Sequence, residues 1–155
     1  MNQAATVEIE QSDAGYALLI DREFKAPCAK VYAAWTDPAQ LAKWWGPSGF
    51  TCPEVDWNPV EGARYRTCMK SPTDDVYCVG GVFEEVTPTS RLVFTWMWEG
   101  EGPTGGVDTR VTIELKDLGA STHLRLTHDL MPSEDAASGH RDGWCSSFED
   151  LDALL

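Results

Sequence analysis

Residues 35–50 read Trp-Thr-Asp-Pro-Ala-Gln-Leu-Ala-Lys-Trp-Trp-Gly-Pro-Ser-Gly-Phe, and three of the chain's seven tryptophans fall within this stretch. Asp37 is a good N-cap, because its carboxylate can accept a bond from a helix N–H that otherwise has no partner. Pro38 follows at the first helical position, where a missing N–H costs nothing. Leu41, Trp44 and Trp45 lie three and four residues apart and give the segment a heavily apolar face. Gly46 and Pro47 then stop it. A helix this short and this rich in indole cannot stand alone and needs a large apolar surface to lie against.

Outward from this segment, the pattern changes character twice. On the N-terminal side, Val7–Glu10 and Tyr16–Phe24 read as strands joined by a turn at Asp13-Ala14-Gly15. Pro27 opens a helix to about Trp35, with Val31, Tyr32 and Trp35 on one stripe. On the C-terminal side, Pro53–Trp57, Ala63–Lys70, Val76–Thr87, Arg91–Glu99, Val107–Leu118 and Thr122–Leu130 alternate as strands. Gly80-Gly81 predicts a bulge or strong curvature in the third of these. Gly100–Gly106 reads as a flexible loop. Ser133 is an N-cap candidate. A helix is expected from His140 to Leu155, with a break at Gly139 and an apolar stripe of Trp144, Phe148, Leu151 and Leu155. Hairpins linked by short turns imply an antiparallel sheet, and the whole is α+β.

The same residues carry a family resemblance. Phe24-Lys25-Ala26-Pro27, the Asp37-Pro38 cap, the Trp44-Trp45-Gly46-Pro47 stop, Gly80-Gly81-Val82-Phe83, Pro88 with Arg91-Leu92-Val93-Phe94-Thr95, and His140-Arg141-Asp142-Gly143-Trp144 occur in this order. Together they resemble the family named after the activator of the Hsp90 ATPase (AHSA1-type), within the START-like, helix-grip superfamily (SRPBCC). The resemblance runs from about Tyr16 to the end. It implies a curved antiparallel sheet of about six or seven strands wrapped around a long C-terminal helix, with two short helices between the first two strands. One departure is local. Many members place an acidic residue, an arginine and two glycines before the third strand, whereas here Asp56 is followed by Asn58-Pro59-Val60-Glu61-Gly62-Ala63.

Composition bounds the function. At 155 residues the chain is expected to be a single domain over 1–155. Twelve basic against 25 acidic residues give a net charge of −13. Nucleic acid and anionic membranes are therefore poor partners. No apolar run approaches a membrane span. Met1–Gln11 lacks a basic and then apolar leader, so the expected location is cytoplasmic. The five cysteines show no C-x-x-C spacing and are expected to be mostly reduced thiols. Histidines and cysteines show no paired ligand spacing, so no metal and no cofactor is expected.

The fold implied by the resemblance holds hydrophobic small molecules between sheet and terminal helix. The expected cavity walls are Trp35, Tyr65, Met69, Phe83, Phe94, Trp96, Trp98, Val111, Ile113, Trp144 and Phe148, with His128, of inward strand parity, as a polar member. The bland alternative is that these side chains only fill a core. His140 is expected to be structural and His123 exposed. Arg64, Arg66, Arg91 and Arg110 are expected on the surface. Two readings follow: a binder or carrier of a hydrophobic or aromatic small molecule, or an enzyme of the polyketide cyclase/aromatase or hydrolase kind with His128 as general base. A chaperone partner ranks below both, on the expectation that the additional domain through which the eukaryotic activators also grip the chaperone is missing. Exposed aromatics near Trp44-Trp45 are candidates for a pocket cap or a homodimer contact.

Overall fold

A computed structural model describes residues 5–100 and 106–155. Positions 1–4 of the polar N-terminal stretch and 101–105 of the Gly100–Gly106 loop lie outside the described residues. The elements run β1 (Thr6–Ser12), β2 (Gly15–Phe24), α1 (Cys28–Thr36), α2 (Pro38–Trp44), β3 (Thr51–Asp56), β4 (Arg64–Lys70), β5 (Val76–Thr87), β6 (Arg91–Trp98), β7 (Thr109–Asp117), β8 (Thr122–Met131) and α3 (Glu134–Leu154). The strands form one sheet in the order β1-β2-β8-β7-β6-β5-β4-β3, antiparallel throughout. Among the described residues no helix is long and apolar enough to cross a membrane.

Local signals explain the segment that decides the fold. Asp37 Oδ1 accepts from the Ala39 N–H at 3.0 Å and Pro38 opens α2. Gly46 takes φ +97°, a left-handed turn that favours glycine. The α1–α2 pair has to carry the chain from β2, near one edge of the sheet, to β3 at the other. It does so across the face that the core occupies, where Val31, Trp35, Leu41 and Trp44 are essentially inaccessible. Trp44 donates to the Ala34 carbonyl at 2.9 Å and Trp57 to the Trp35 carbonyl at 2.8 Å, so these buried indoles have their N–H groups satisfied.

Several expectations need correction. The sheet has eight strands, more than the six or seven that the resemblance implies, because every alternating segment pairs in it, the first as Thr6–Ser12 in full register with β2. The two short helices therefore follow the second strand. The terminal helix is continuous from Glu134, capped by Ser133 Oγ on the Ala136 N–H, with no break at Gly139. Trp44 and Trp45 are themselves buried. Three of the five cysteines are free thiols and two are not. Cys68 and Cys78 form a disulfide, because the β4–β5 hairpin sets them directly opposite each other. Cys28, Cys52 and Cys145 are free.

Gly80 and Gly81 are close-approach positions. A Cβ would fall 2.8 Å from the Tyr65 carbonyl oxygen at Gly80 and 2.2 Å from the Thr95 carbonyl oxygen at Gly81. The register shift lies further on, between Phe83 and Glu85.

Candidate functional site

Beside the packed core, a cavity of about 280 Å³ opens between α3, the α2–β3 connection and strands β4 to β6. The connection contributes Trp45, Gly46, Pro47 and Phe50. Met69 and Tyr77 come from β4 and β5 as register partners, and Trp96 and Trp98 come from β6. The helix side is built from Gly139, His140, Gly143, Trp144 and Ser147. None of these described wall residues carries a lysine, arginine, aspartate or glutamate side chain.

The helix side decides the shape. Gly139, Gly143 and Ser147 recur at four-residue spacing, so they stack on one face of α3. The face runs from exposed Gly139 through half-buried Gly143 to Ser147, which is 4% exposed. A Cβ at either glycine would meet nothing within 4 Å. The space opposite them is therefore open.

The polar groups of the wall are mostly committed. Trp45 donates to Thr67 Oγ1 at 3.0 Å, Trp98 to His140 Nε2 at 3.0 Å and Trp144 to His128 Nδ1 at 3.2 Å. His140 Nδ1 lies 2.7 Å from the Ala136 carbonyl, so that nitrogen carries the proton and Nε2 is the acceptor. His128 Nε2 lies 2.7 Å from Thr109 Oγ1, whose hydroxyl reaches the Trp96 carbonyl at 3.0 Å. His128 thus accepts from Trp144 at one nitrogen and donates to Thr109 at the other. Burial, reinforced by the neighbouring His140, holds the His128 pKa well below the ordinary histidine value. Burial lowers that of His140 as well, against an opposing bond to Ala136. The two rings are 4.7 Å apart and both are neutral at physiological pH.

Three wall groups are left over, one of them the hydroxyl of solvent-exposed Tyr77, which makes no hydrogen bond within the described residues. The Trp96 indole N–H is enclosed and has no hydrogen-bond partner. The Ser147 hydroxyl makes no hydrogen bond within the described residues, yet it is not sealed off, which leaves it facing the cavity.

Of the residues expected as cavity walls, Met69, Trp96, Trp98 and Trp144 line the cavity. Trp35, Tyr65, Phe83, Phe94, Val111, Ile113 and Phe148 pack in the core behind it, and His128 sits behind Trp96 and Trp144. His140, expected to be structural, is bonded to its neighbours and also lines the wall. His123 is 40% exposed and pairs with Asp21 at 2.8 Å. The arginines do not reach the cavity. Arg66 pairs with Glu54 and Glu99, Arg91 with Glu85 and Glu114, and Arg110 with Asp129. Parity did not reveal Trp45, Phe50 or the small-residue stripe. The signal for the stripe was the four-residue spacing of Gly139, Gly143 and Ser147 around Trp144. Among the described residues no group of three or more His, Cys, Asp or Glu is gathered as a metal site.

This arrangement has relatives of known structure. A protein from Chromobacterium violaceum is 28% identical, with a TM-score of 0.81 over 90% of this chain and 96% of that one. An AHSA1 protein from Silicibacter pomeroyi is 27% identical, with a TM-score of 0.81 over 88% of this chain and 95% of that one. CalU16 from Micromonospora echinospora, 22% identical with a TM-score of 0.70 over 99% and 86% of the two chains, shares the fold. No curated protein matches. The sequence model of the family "Activator of Hsp90 ATPase homolog 1-like protein" matches residues 25–155. With that match over most of its length and with an antiparallel sheet and long terminal helix of the helix-grip kind, the chain belongs to the Activator of Hsp90 ATPase homolog 1-like family.

Proposed function

We propose that the chain binds or carries a small hydrophobic or aromatic molecule in the cavity beside α3. The observation that supports this most is the Gly139-Gly143-Ser147 stripe. Each glycine inside a helix costs about 1 kcal/mol relative to alanine. Neither is required by backbone conformation or by close packing, since both are helical and a Cβ would meet open space. The pair therefore weakens α3 while keeping a cavity open, and the walls opposite are aromatic.

A base role for His128 finds less support. Its ring is fully buried, both nitrogens are engaged, and it contacts the lining residues Trp96 and Trp144 without lining the cavity itself. A general base must present a free lone pair within reach of the substrate proton.

The test is intrinsic tryptophan fluorescence with a thermal-shift readout against a panel of hydrophobic and aromatic compounds. Four tryptophans line the cavity, so occupancy is expected to change the emission saturably. It should also raise the melting temperature, because a ligand selective for the native state stabilises it. The decisive control is Gly143→Leu, which fills the cavity. A response that persists in that variant, or no response to any compound, would sink the reading.

A further inference from the structure

The cavity's polar inventory narrows the ligand class. Ser147 sits at the buried end of the small-residue stripe with an uncommitted hydroxyl, the Tyr77 hydroxyl is on an exposed side chain where water serves it, and the imidazole and the other indole groups of the wall, save the Trp96 N–H, are satisfied by the protein. A hydroxyl that faces a cavity without a protein partner is free to pair with a polar group that a ligand supplies. We propose that the ligand of this cavity is an uncharged aromatic molecule carrying one ring oxygen, a phenolic hydroxyl or a carbonyl, which hydrogen-bonds Ser147 Oγ. This rests on the reading of the cavity as a binding site.

Three features support that choice. The walls are ring systems, which pack best against flat rings by offset or edge contacts. At about 280 Å³ the space lies just below the range of drug-sized pockets, which suits a compact fused ring better than a long acyl chain. Charge is disfavoured in both signs. A carboxylate would lose its water with no lysine or arginine in the described wall to replace it, and the net charge of −13 opposes its approach. A cation would be drawn to the indole faces, but no aspartate or glutamate of the described wall neutralises it.

The experiment is equilibrium dialysis of the full chain at neutral pH with naphthalene, 2-naphthol, 2-naphthoate and 2-naphthyltrimethylammonium, repeated with Ser147→Ala and Gly143→Leu. 2-Naphthol should bind about tenfold more tightly than naphthalene, the effect of one hydrogen bond that completes a buried pair. Both charged probes should bind more weakly than 2-naphthol. In Ser147→Ala the ratio of 2-naphthol to naphthalene affinity should collapse towards one, and in Gly143→Leu binding of all four should be lost. Equal binding of naphthalene and 2-naphthol, a ratio that survives Ser147→Ala, or a charged probe binding at least as well as 2-naphthol overturns this inference and leaves the carrier reading standing. Failure of every probe to bind the wild-type chain overturns both. Should Ser147→Ala not fold, Ser147→Gly takes its place for the ratio, since it removes the same hydroxyl, and the four-probe comparison on the wild-type chain still tests the uncharged, oxygen-bearing class.

Discussion

Trp98 donates its indole N–H to His140 Nε2 at 3.0 Å, tying the end of β6 to the second turn of α3 across the cavity wall. His140 can accept only because its other nitrogen is committed to Ala136. Replacing it with phenylalanine keeps a ring against Trp96 but leaves the Trp98 N–H without a partner. His140→Phe is expected to cost about 1–2 kcal/mol in urea unfolding, the range for orphaning one donor in a half-buried setting. An unchanged midpoint would mean that water replaces the imidazole freely.

Gly143→Leu is expected to act in the opposite direction on stability. It removes a helical glycine, a gain of about 1 kcal/mol, and places apolar atoms in open space. The melting temperature should rise by about 2–4 °C for a chain of this size while ligand binding disappears. Calorimetry on the same preparation reads both. A fall in melting temperature would show that the leucine clashes and that the cavity is smaller than its walls indicate.

Acid should weaken the fold through the paired imidazoles. The pKa values of His128 and His140 are lowered in the folded chain, so below the ordinary histidine value of about 6.5 the unfolded chain binds more protons. Stability is full above that pH and falls as pH drops from there through the folded values, by up to about 1.4 kcal/mol per pH unit for each ring. Urea midpoints between pH 8 and pH 5 should show this loss, and His140→Phe should make it shallower. A flat profile in the wild-type chain would contradict the assignment of both rings as neutral.

The Cys68–Cys78 bond closes the β4–β5 hairpin immediately beside Met69 and Tyr77, two of the cavity's walls. The double variant Cys68→Ala, Cys78→Ala is expected to lose about 2–3 kcal/mol, the usual effect of opening a short loop. A reducing agent should lower the urea midpoint of the wild-type chain and leave that of the variant unchanged. Equal responses would place the effect of reduction elsewhere.

The sequence disclosed what depends on neighbours in the chain. The Asp37-Pro38 cap and the Gly46 stop are contained within a few residues, and both appear as expected. Strand parity separated Phe94, Trp96 and Trp98 from their outward neighbours because alternation is a local property. It could not separate Phe94, deep in the core, from Trp96 and Trp98 at the cavity, because parity names a face and not a position along it. The stripe on α3 escaped for a related reason. A cavity is shaped by absent atoms, and inward-facing glycine gives no apolar signal until the helix's rotation against the sheet is known. The Cys68–Cys78 bond required the hairpin register, which a separation of ten residues does not reveal. Arg22 shares the inward parity of Leu18, Ile20 and Phe24, yet it lies over the Phe24 ring and pairs with Glu149 and Asp152.

The strand order also governs how the chain reaches this structure. β3 to β8 form an unbroken meander in which each strand meets the next one made, so these hairpins can close early over short loops. β2 has no such neighbour on its inner side. Its partner is β8, where Leu18 lies opposite His128 from the far end of the chain. The β1–β2 hairpin therefore joins only after β8 exists, and that long loop closure should set the pace of folding. α3 follows β8 directly, so the cavity gains its helical wall in the same late stage and is among the last features of the molecule to form.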